Sequence, residues 1–208
     1  MRLPPVAATA LAAAIVAAIS VLAFAWIPAS LLWAAFIGWA CYDQSGADAQ
    51  AWRRSSAGLV FGVVMAGAVA MVVASNALPV GVPVATAVCA AIASFLIVTG
   101  SAVLTQGAVA AAFYGFASTF AFVGLAPGAS TIAAMTSFSA SNALLVVPTS
   151  LLVGTLLGVL HGRLAKALAA SGEGGAHWRS LRLDGSALPL RDPRPARPLR
   201  QATKMDER

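Results

Sequence analysis

The sequence predicts an all-α membrane protein, a bundle of about six transmembrane segments arranged as two inverted three-helix repeats. Three observations predict this class. No Asp, Glu, Lys or Arg occurs between Arg54 and Arg163, which leaves room for several membrane crossings. Only 10% of the residues are charged, whereas a soluble domain carries roughly 25%. Finally, a stretch of the first half of the chain returns in the second half at a fixed offset.

Six apolar segments account for the predicted crossings. Five of them approach the ~17–25 residues that a spanning helix needs, whereas the second has only 14. The segments are Val6–Ile27, Ala29–Tyr42, Ser55–Ser75, Val84–Gly100, Gly107–Ala126 and Asn142–Gly162.

The short second segment leaves two alternatives open. Pro28 separates it from the first segment, because proline removes a backbone donor and breaks a helix. Ala29–Tyr42 is therefore either a full span in locally thin bilayer or a broken, re-entrant piece. A broken piece survives in a membrane only where it packs against protein or lines a cavity.

The basic residues predict the orientation. Arg53 and Arg54 introduce the third segment, and Arg163 and Lys166 close the sixth. With six crossings these residues share one side with both termini, and the positive-inside rule makes that side cytoplasmic. If the second segment does not cross, the N-terminus moves outside. The N-terminal apolar run imitates a cleavable signal peptide, but its length favours a retained helix.

The predicted domain organisation is a transmembrane domain followed by a tail. Residues 1–168 form the transmembrane domain, with repeat one at about 6–75 and repeat two at about 84–162. Residues 169–208 are rich in Pro, Gly and mixed charge, which predicts a disordered basic cytoplasmic tail. This tail carries half of the net charge of +6 and most of the basic residues, so the charge indicates membrane topology rather than nucleic-acid binding.

The repeat is carried by two stretches 77 positions apart. Ala8–Tyr42 and Ala85–Thr119 share 13 of 35 residues without a gap, including AAFIGWACY against AAFYGFAST. Three crossings separate the copies, so they face opposite ways, as in many transporters with a binding site at the bilayer midplane. The alternative is a duplication that persists for packing alone. No convincing residue match relates the third segment to the sixth.

The repeated nine-residue stretches, AAFIGWACY and AAFYGFAST, supply the candidate functional residues. Aromatic rings with glycine gaps and a few hydroxyl groups suit a narrow path for a small neutral or weakly polar solute, although the same residues also suit core packing. Asp43 is either a cation-attracting mouth residue or a solvated loop carboxylate. The candidate path residues are Phe36, Gly38, Trp39, Tyr42, Asp43, Phe113, Gly115, Phe116, Ser118 and Thr119.

Small residues recur every fourth position on the third, fifth and sixth segments. Such ridges allow close backbone approach, which drives helix association in lipid. A bundle this small does not need all of these ridges for contacts within one chain. The remaining ridges can bind another copy, so a homo-oligomer is expected. The candidate packing residues are Gly58, Gly62, Gly107, Gly154, Gly158 and Gly162.

Catalysis is not expected, because the apolar region holds no catalytic constellation and no metal-ligand cluster. Cys41 and Cys89 stand in apolar surroundings, which is typical of buried small side chains. The sequence therefore predicts no enzyme, cofactor or metal. The two functional hypotheses are a channel or facilitator for a small solute and a non-transporting scaffold or accessory subunit.

Three stretches resemble a known family. SLLWAAFIGWACY after an N-terminal helix, AAFYGFASTFAF in the second half and a closing glycine-rich helix are similar to the YcdZ-like bacterial inner-membrane proteins, a family defined as domain of unknown function 1097. The resemblance covers roughly residues 8–168. It implies a small inner-membrane protein and brings no substrate or catalytic residue with it.

Overall fold

The described part of the chain is entirely helical. A computed structural model describes residues 3–105 and 107–169, and these ranges form seven helices and no strand, which confirms the all-α class. The predicted tail lies outside the described residues apart from Ala169. The helices are α1 (Pro5–Ala25), α2 (Leu32–Gln44), α3 (Ala49–Ala74), α4 (Val82–Leu104), α5 (Val109–Leu125), α6 (Ile132–Thr136) and α7 (Ala143–Leu168).

The apolar helices identify a membrane protein. By length and composition, α1, α3, α4 and α7 can each cross a bilayer, and α5 is a shorter apolar helix. Helix α2 has 13 residues and therefore spans only about 20 Å, against a hydrocarbon core of about 30 Å.

Several helix ends differ from the predicted segments. Helix α3 begins six residues before Ser55, because the Asp48 carboxylate caps it by accepting a 2.6 Å hydrogen bond from the Ala51 N–H. Helix α7 continues six residues beyond Gly162. Hydropathy marks where apolar side chains stop, whereas the backbone hydrogen bonds continue into the polar turns. The short helix α6, within the predicted linker 127–141, was not predicted.

Corresponding helices begin at constant offsets. Helices α1 and α4 begin at Pro5 and Val82, and α2 and α5 begin at Leu32 and Val109, so each pair differs by 77 positions. Helices α1 and α4 both carry proline in their first turn, where the missing N–H would have no helical partner anyway. Helices α3 and α7 each contain 26 residues.

The packing pairs each half of the chain with the other half. Helix α5 packs mainly along α3, and α2 packs mainly along α7. Helix α4 lies against α3, α1 lies against α7, and α3 and α7 contact each other. Leu59 and Val63 of α3 and Val147 and Leu151 of α7 are buried in the resulting core. Helices α1 and α4 lie at the edges, where large apolar side chains are exposed.

Candidate functional site

The glycines of the repeated nine-residue stretches, Gly38 and Gly115, lie at helix contacts. A Cβ added at Gly38 would collide with the Leu151 carbonyl oxygen of α7, and one added at Gly115 would collide with the Leu59 carbonyl oxygen of α3. Both glycines were expected beside a solute path. Each lies where two helix backbones are in close contact, a distance that only a residue without a side chain permits, and the solute path stays a prediction.

The third helix of each half makes the reciprocal contacts. A Cβ at Gly154 would collide with the Ala35 carbonyl oxygen, and one at Gly62 with that of Ala112. Ala35 and Ala112 differ by 77 positions, whereas Gly62 and Gly154 differ by 92, as do Leu59 and Leu151. The offset grows from 77 to 92 because the second half contains 15 additional residues before its last helix. The sequence comparison missed this register because the insertion breaks the alignment.

The other predicted packing glycines fall into two groups. Gly58 lies against Ala108 and Ala111, and Gly158 lies against the rings of Trp39 and Tyr42. The remaining two hold no helices together. Gly107 precedes α5 in a turn with a φ of +82°, a conformation that favours glycine, and a Cβ at Gly162 would meet no atom of the described residues within 4 Å.

Three of the predicted aromatic residues, Phe36, Trp39 and Phe116, pair with a ring of their own helix. The ring centroids of Phe36 and Trp39 are 6.1 Å apart, and Phe116 stacks on Phe120 at 4.7 Å. Phe36, Phe113 and Phe116 are half-buried. None of these rings except that of Phe120 lines either of the two cavities described below.

The two predicted hydroxyl residues of α5 are buried. Thr119 is fully buried, and its hydroxyl donates a 2.9 Å hydrogen bond to the Gly115 carbonyl one turn back. The Ser118 hydroxyl, also buried, has no hydrogen-bond partner within residues 3–105 and 107–169.

A cavity of about 310 Å³ lies between α3, α5 and the start of α4. We call it the α3–α5 pocket. Ala66 and Thr119, both fully buried, form its closed floor. Ala70 and Thr86 lie on its walls, half-buried. Its mouth is formed by exposed residues of two linkers, Asn76 and Ser130.

A second cavity, of about 430 Å³, is an open groove at the surface. The linker between α1 and α2, the linker between α6 and α7, and one side of α7 form its walls. The Ser150 hydroxyl at this groove accepts a 3.1 Å hydrogen bond from the Leu31 N–H, which ties the start of α2 to α7.

Sequence reasoning missed a polar cluster formed by Thr9, Trp39, Tyr42, Asp43 and His161, here called the His161 cluster. His161 is only 9% exposed, and its Nε2 lies 3.4 Å from the Thr9 carbonyl oxygen. A carbonyl can only accept, so this contact is a hydrogen bond in the tautomer that carries the proton on Nε2. Nδ1 lies 3.7 Å from a carboxylate oxygen of Asp43, and the ring lies 5.1 Å from that of Trp39.

One sequence signal points to this cluster. His161 is the only titratable side chain other than cysteine and tyrosine between Arg54 and Arg163, and it follows Gly154 and Gly158 at helical spacing. A residue three and seven positions after two contact glycines lies on the same helix face. His161 therefore had to point into the α2–α7 contact.

Residues 10–166 match the model of a family described as "Protein of unknown function (DUF1097)". The chain belongs to this family. No curated protein and no solved structure gives a significant match. The membership agrees with the sequence resemblance and names no ligand.

In this DUF1097 protein, residues of the α3–α5 pocket and residues of the His161 cluster are related by the same two sequence offsets. The offsets of 77 and 92 relate Thr86, Thr119 and Val69 at the pocket to Thr9, Tyr42 and His161 in the cluster. They also relate Ala66 to Gly158, whose missing side chain makes room for Tyr42. The α3–α5 pocket is thus an open cavity, whereas the space within the His161 cluster is filled by side chains.

Proposed function

We propose that this protein is a facilitator for small neutral or weakly polar solutes in the bacterial inner membrane. The observation that carries the proposal is the α3–α5 pocket, whose volume falls within the ~300–1,000 Å³ range typical of ligand sites. It runs from the linkers at one end of the bundle to residues near the middle of α3 and α5. Within residues 3–105 and 107–169 no charged side chain lines it, which favours an uncharged solute.

The proposed architecture is two inverted three-helix units, α1–α3 and α4, α5 and α7, with six crossings. The reciprocal glycine contacts and the exchanged packing of α2 on α7 and α5 on α3 support it. An inverted repeat places equivalent cavities on opposite sides of the membrane. One open and one filled counterpart is then the arrangement of a carrier that is open to one side only.

In the proposed orientation α2 crosses the membrane despite its length. Its backbone hydrogen bonds are satisfied within the helix, and its close contact with α7 shields one face from lipid. Both termini and the His161 cluster are then cytoplasmic, and the mouth of the α3–α5 pocket is periplasmic.

Cysteine labelling tests this topology. In a Cys89→Ala background, Trp26→Cys and Ala77→Cys should react with a membrane-impermeant maleimide added to intact spheroplasts, whereas Gln50→Cys should react only after lysis. Trp26 and Gln50 flank α2, so this pair decides whether α2 crosses. Labelling of Trp26→Cys and Gln50→Cys from the same side would contradict the six-crossing arrangement.

A flux assay tests the function. Proteoliposomes should show faster osmotic re-swelling than empty liposomes with at least one of glycerol, urea and propane-1,2-diol. Ala70→Leu should return the rate to that of empty liposomes, because the added side chain fills the pocket. Ala68→Leu is the matched control on the exposed face of the same helix and should retain the wild-type rate.

A scaffold or accessory subunit is the second candidate, and the exposed apolar faces of α1 and α4 favour it. Phe95 is 69% exposed and Val103 is 83% exposed. Under this alternative these faces bind another membrane protein, and no solute in the panel permeates above background. The glycine ridges do not supply such a surface, since Gly58, Gly62, Gly154 and Gly158 are engaged within the chain. The homo-oligomer was predicted because some small-residue ridges were expected to remain free. These four glycines do not support it, and the homo-oligomer stays a proposal.

A further inference from the structure

We infer that the α3–α5 pocket binds a small, largely apolar molecule that carries a hydrogen-bond donor, such as an alcohol or a primary amide. This inference rests on the proposed function in naming its substrate class, but binding can be measured without transport. It follows from the size of the pocket, the state of its hydroxyl groups and the position of its mouth.

The size and walls restrict the ligand to a small apolar body. The volume of about 310 Å³ corresponds to about ten water molecules at ~30 Å³ each. Alanine and valine side chains, including Val69, Ala70 and Val73, form most of the walls. A charged ligand would lose its hydration here with no counter-charge to replace it.

The hydroxyl groups determine which polar group the ligand needs. Thr86 on the wall donates a 2.8 Å hydrogen bond to the Val82 carbonyl, and Thr119 on the floor donates one to the Gly115 carbonyl. A hydroxyl has a single hydrogen, so both threonines have only lone pairs left to offer. The pocket interior therefore accepts hydrogen bonds, and a ligand must donate to satisfy it.

The mouth favours a solute that arrives from water over a lipid chain. Asn76 and Ser130 are exposed and belong to linkers rather than to the apolar faces of the helices. The counterpart position suggests the same ligand class, because Tyr42 corresponds to Thr119 and fills that position with an apolar ring bearing one hydroxyl.

The test compares 2-butanol with 2-butanone, which are nearly equal in shape but differ in having a donor. The full chain carries Cys89→Ala and Ala70→Cys in nanodiscs, and the labelling rate with a small methanethiosulfonate reports occupancy of the pocket. We expect protection by 2-butanol at roughly tenfold lower concentration than by 2-butanone, the ratio for one unsatisfied hydrogen bond. Ala68→Cys, on the lipid face, controls for effects of the solvents on the bilayer.

Thr86→Val and Thr119→Val each keep the side-chain shape and remove one of the two accepting oxygens, so at least one of them should weaken the preference for the alcohol while protection by the ketone persists. Two separate variants keep the test decisive should one of them fail to fold. Equal protection by both compounds in the parent, or an unchanged preference in both valine variants, would overturn the donor requirement. Absence of protection by either compound would overturn binding. Protection in a protein without solute flux would uphold the site and contradict the facilitator instead.

Discussion

Replacing Gly62 or Gly154 with leucine should prevent recovery of folded protein. Any side chain at Gly62 would overlap the Ala112 carbonyl, and any at Gly154 would overlap that of Ala35. Overpacking a core usually costs about 1–3 kcal/mol, because neighbouring side chains can move aside. Here the obstacle is the backbone of another helix, so the helices must separate, and we expect a larger loss.

Size-exclusion chromatography and thermal unfolding in mild detergent measure this effect. Gly162→Leu is the matched control, two turns further along α7, where a Cβ would meet no atom within 4 Å in the part of the chain that the structure describes. It should leave the unfolding temperature close to that of the wild type. Gly154→Ala should already be destabilising, since a single methyl group reaches the Ala35 carbonyl. A Gly154→Leu protein as stable as Gly162→Leu would contradict the close contact of α2 with α7.

The helical class and most of the apolar helices could be predicted because both depend on local composition. The helix ends could not, because Asp48 and the polar turns of α3 and α7 extend the helices beyond the apolar residues. The repeat was visible where Gly38 and Gly115 keep the same neighbours. No match was visible between α3 and α7. At the offset of 92, the identical pairs Leu59/Leu151 and Gly62/Gly154 stand among residues that differ.

The site depended on contacts that no local pattern encodes. The repetition of Phe36, Gly38 and Trp39 in the second half indicated a shared role. The structure shows Gly38 and Gly115 in close contact with the backbone of another helix, and the role of the aromatic residues in a solute path stays a prediction. The His161 cluster joins residues 152 positions apart, His161 and Thr9. Whether such a site is open or filled depends on the volumes of the side chains at the positions that the offsets relate. These positions can be compared only once the register of α3 against α7 is known.

Exchanging residues between the two corresponding positions should shift solute flux in opposite directions. Tyr42→Thr with His161→Val gives the His161 cluster the residues that line the pocket. These substitutions shorten two of the side chains that fill the His161 cluster, so we expect faster re-swelling of proteoliposomes than with the wild type. Burying less aromatic surface also lowers stability by about 3–5 kcal/mol. The control is therefore Phe122→Thr, at a core residue that is not among those lining the α3–α5 pocket or the open groove, and it should leave flux unchanged.

The reverse exchange is Thr119→Tyr with Val69→His and Ala66→Gly, and it should reduce flux to the level of empty liposomes while the protein stays folded. The third substitution is needed because a Cβ at Gly158 would lie 2.7 Å from the Tyr42 ring, so a tyrosine at 119 requires a glycine at 66. Thr119→Tyr alone should therefore be less stable than the triple variant, which measures the correspondence independently of transport. If the triple variant gains no stability over the single one, the two positions are not equivalent. If both exchanges fold and change flux in the same direction, a carrier that opens the two sides in turn is contradicted.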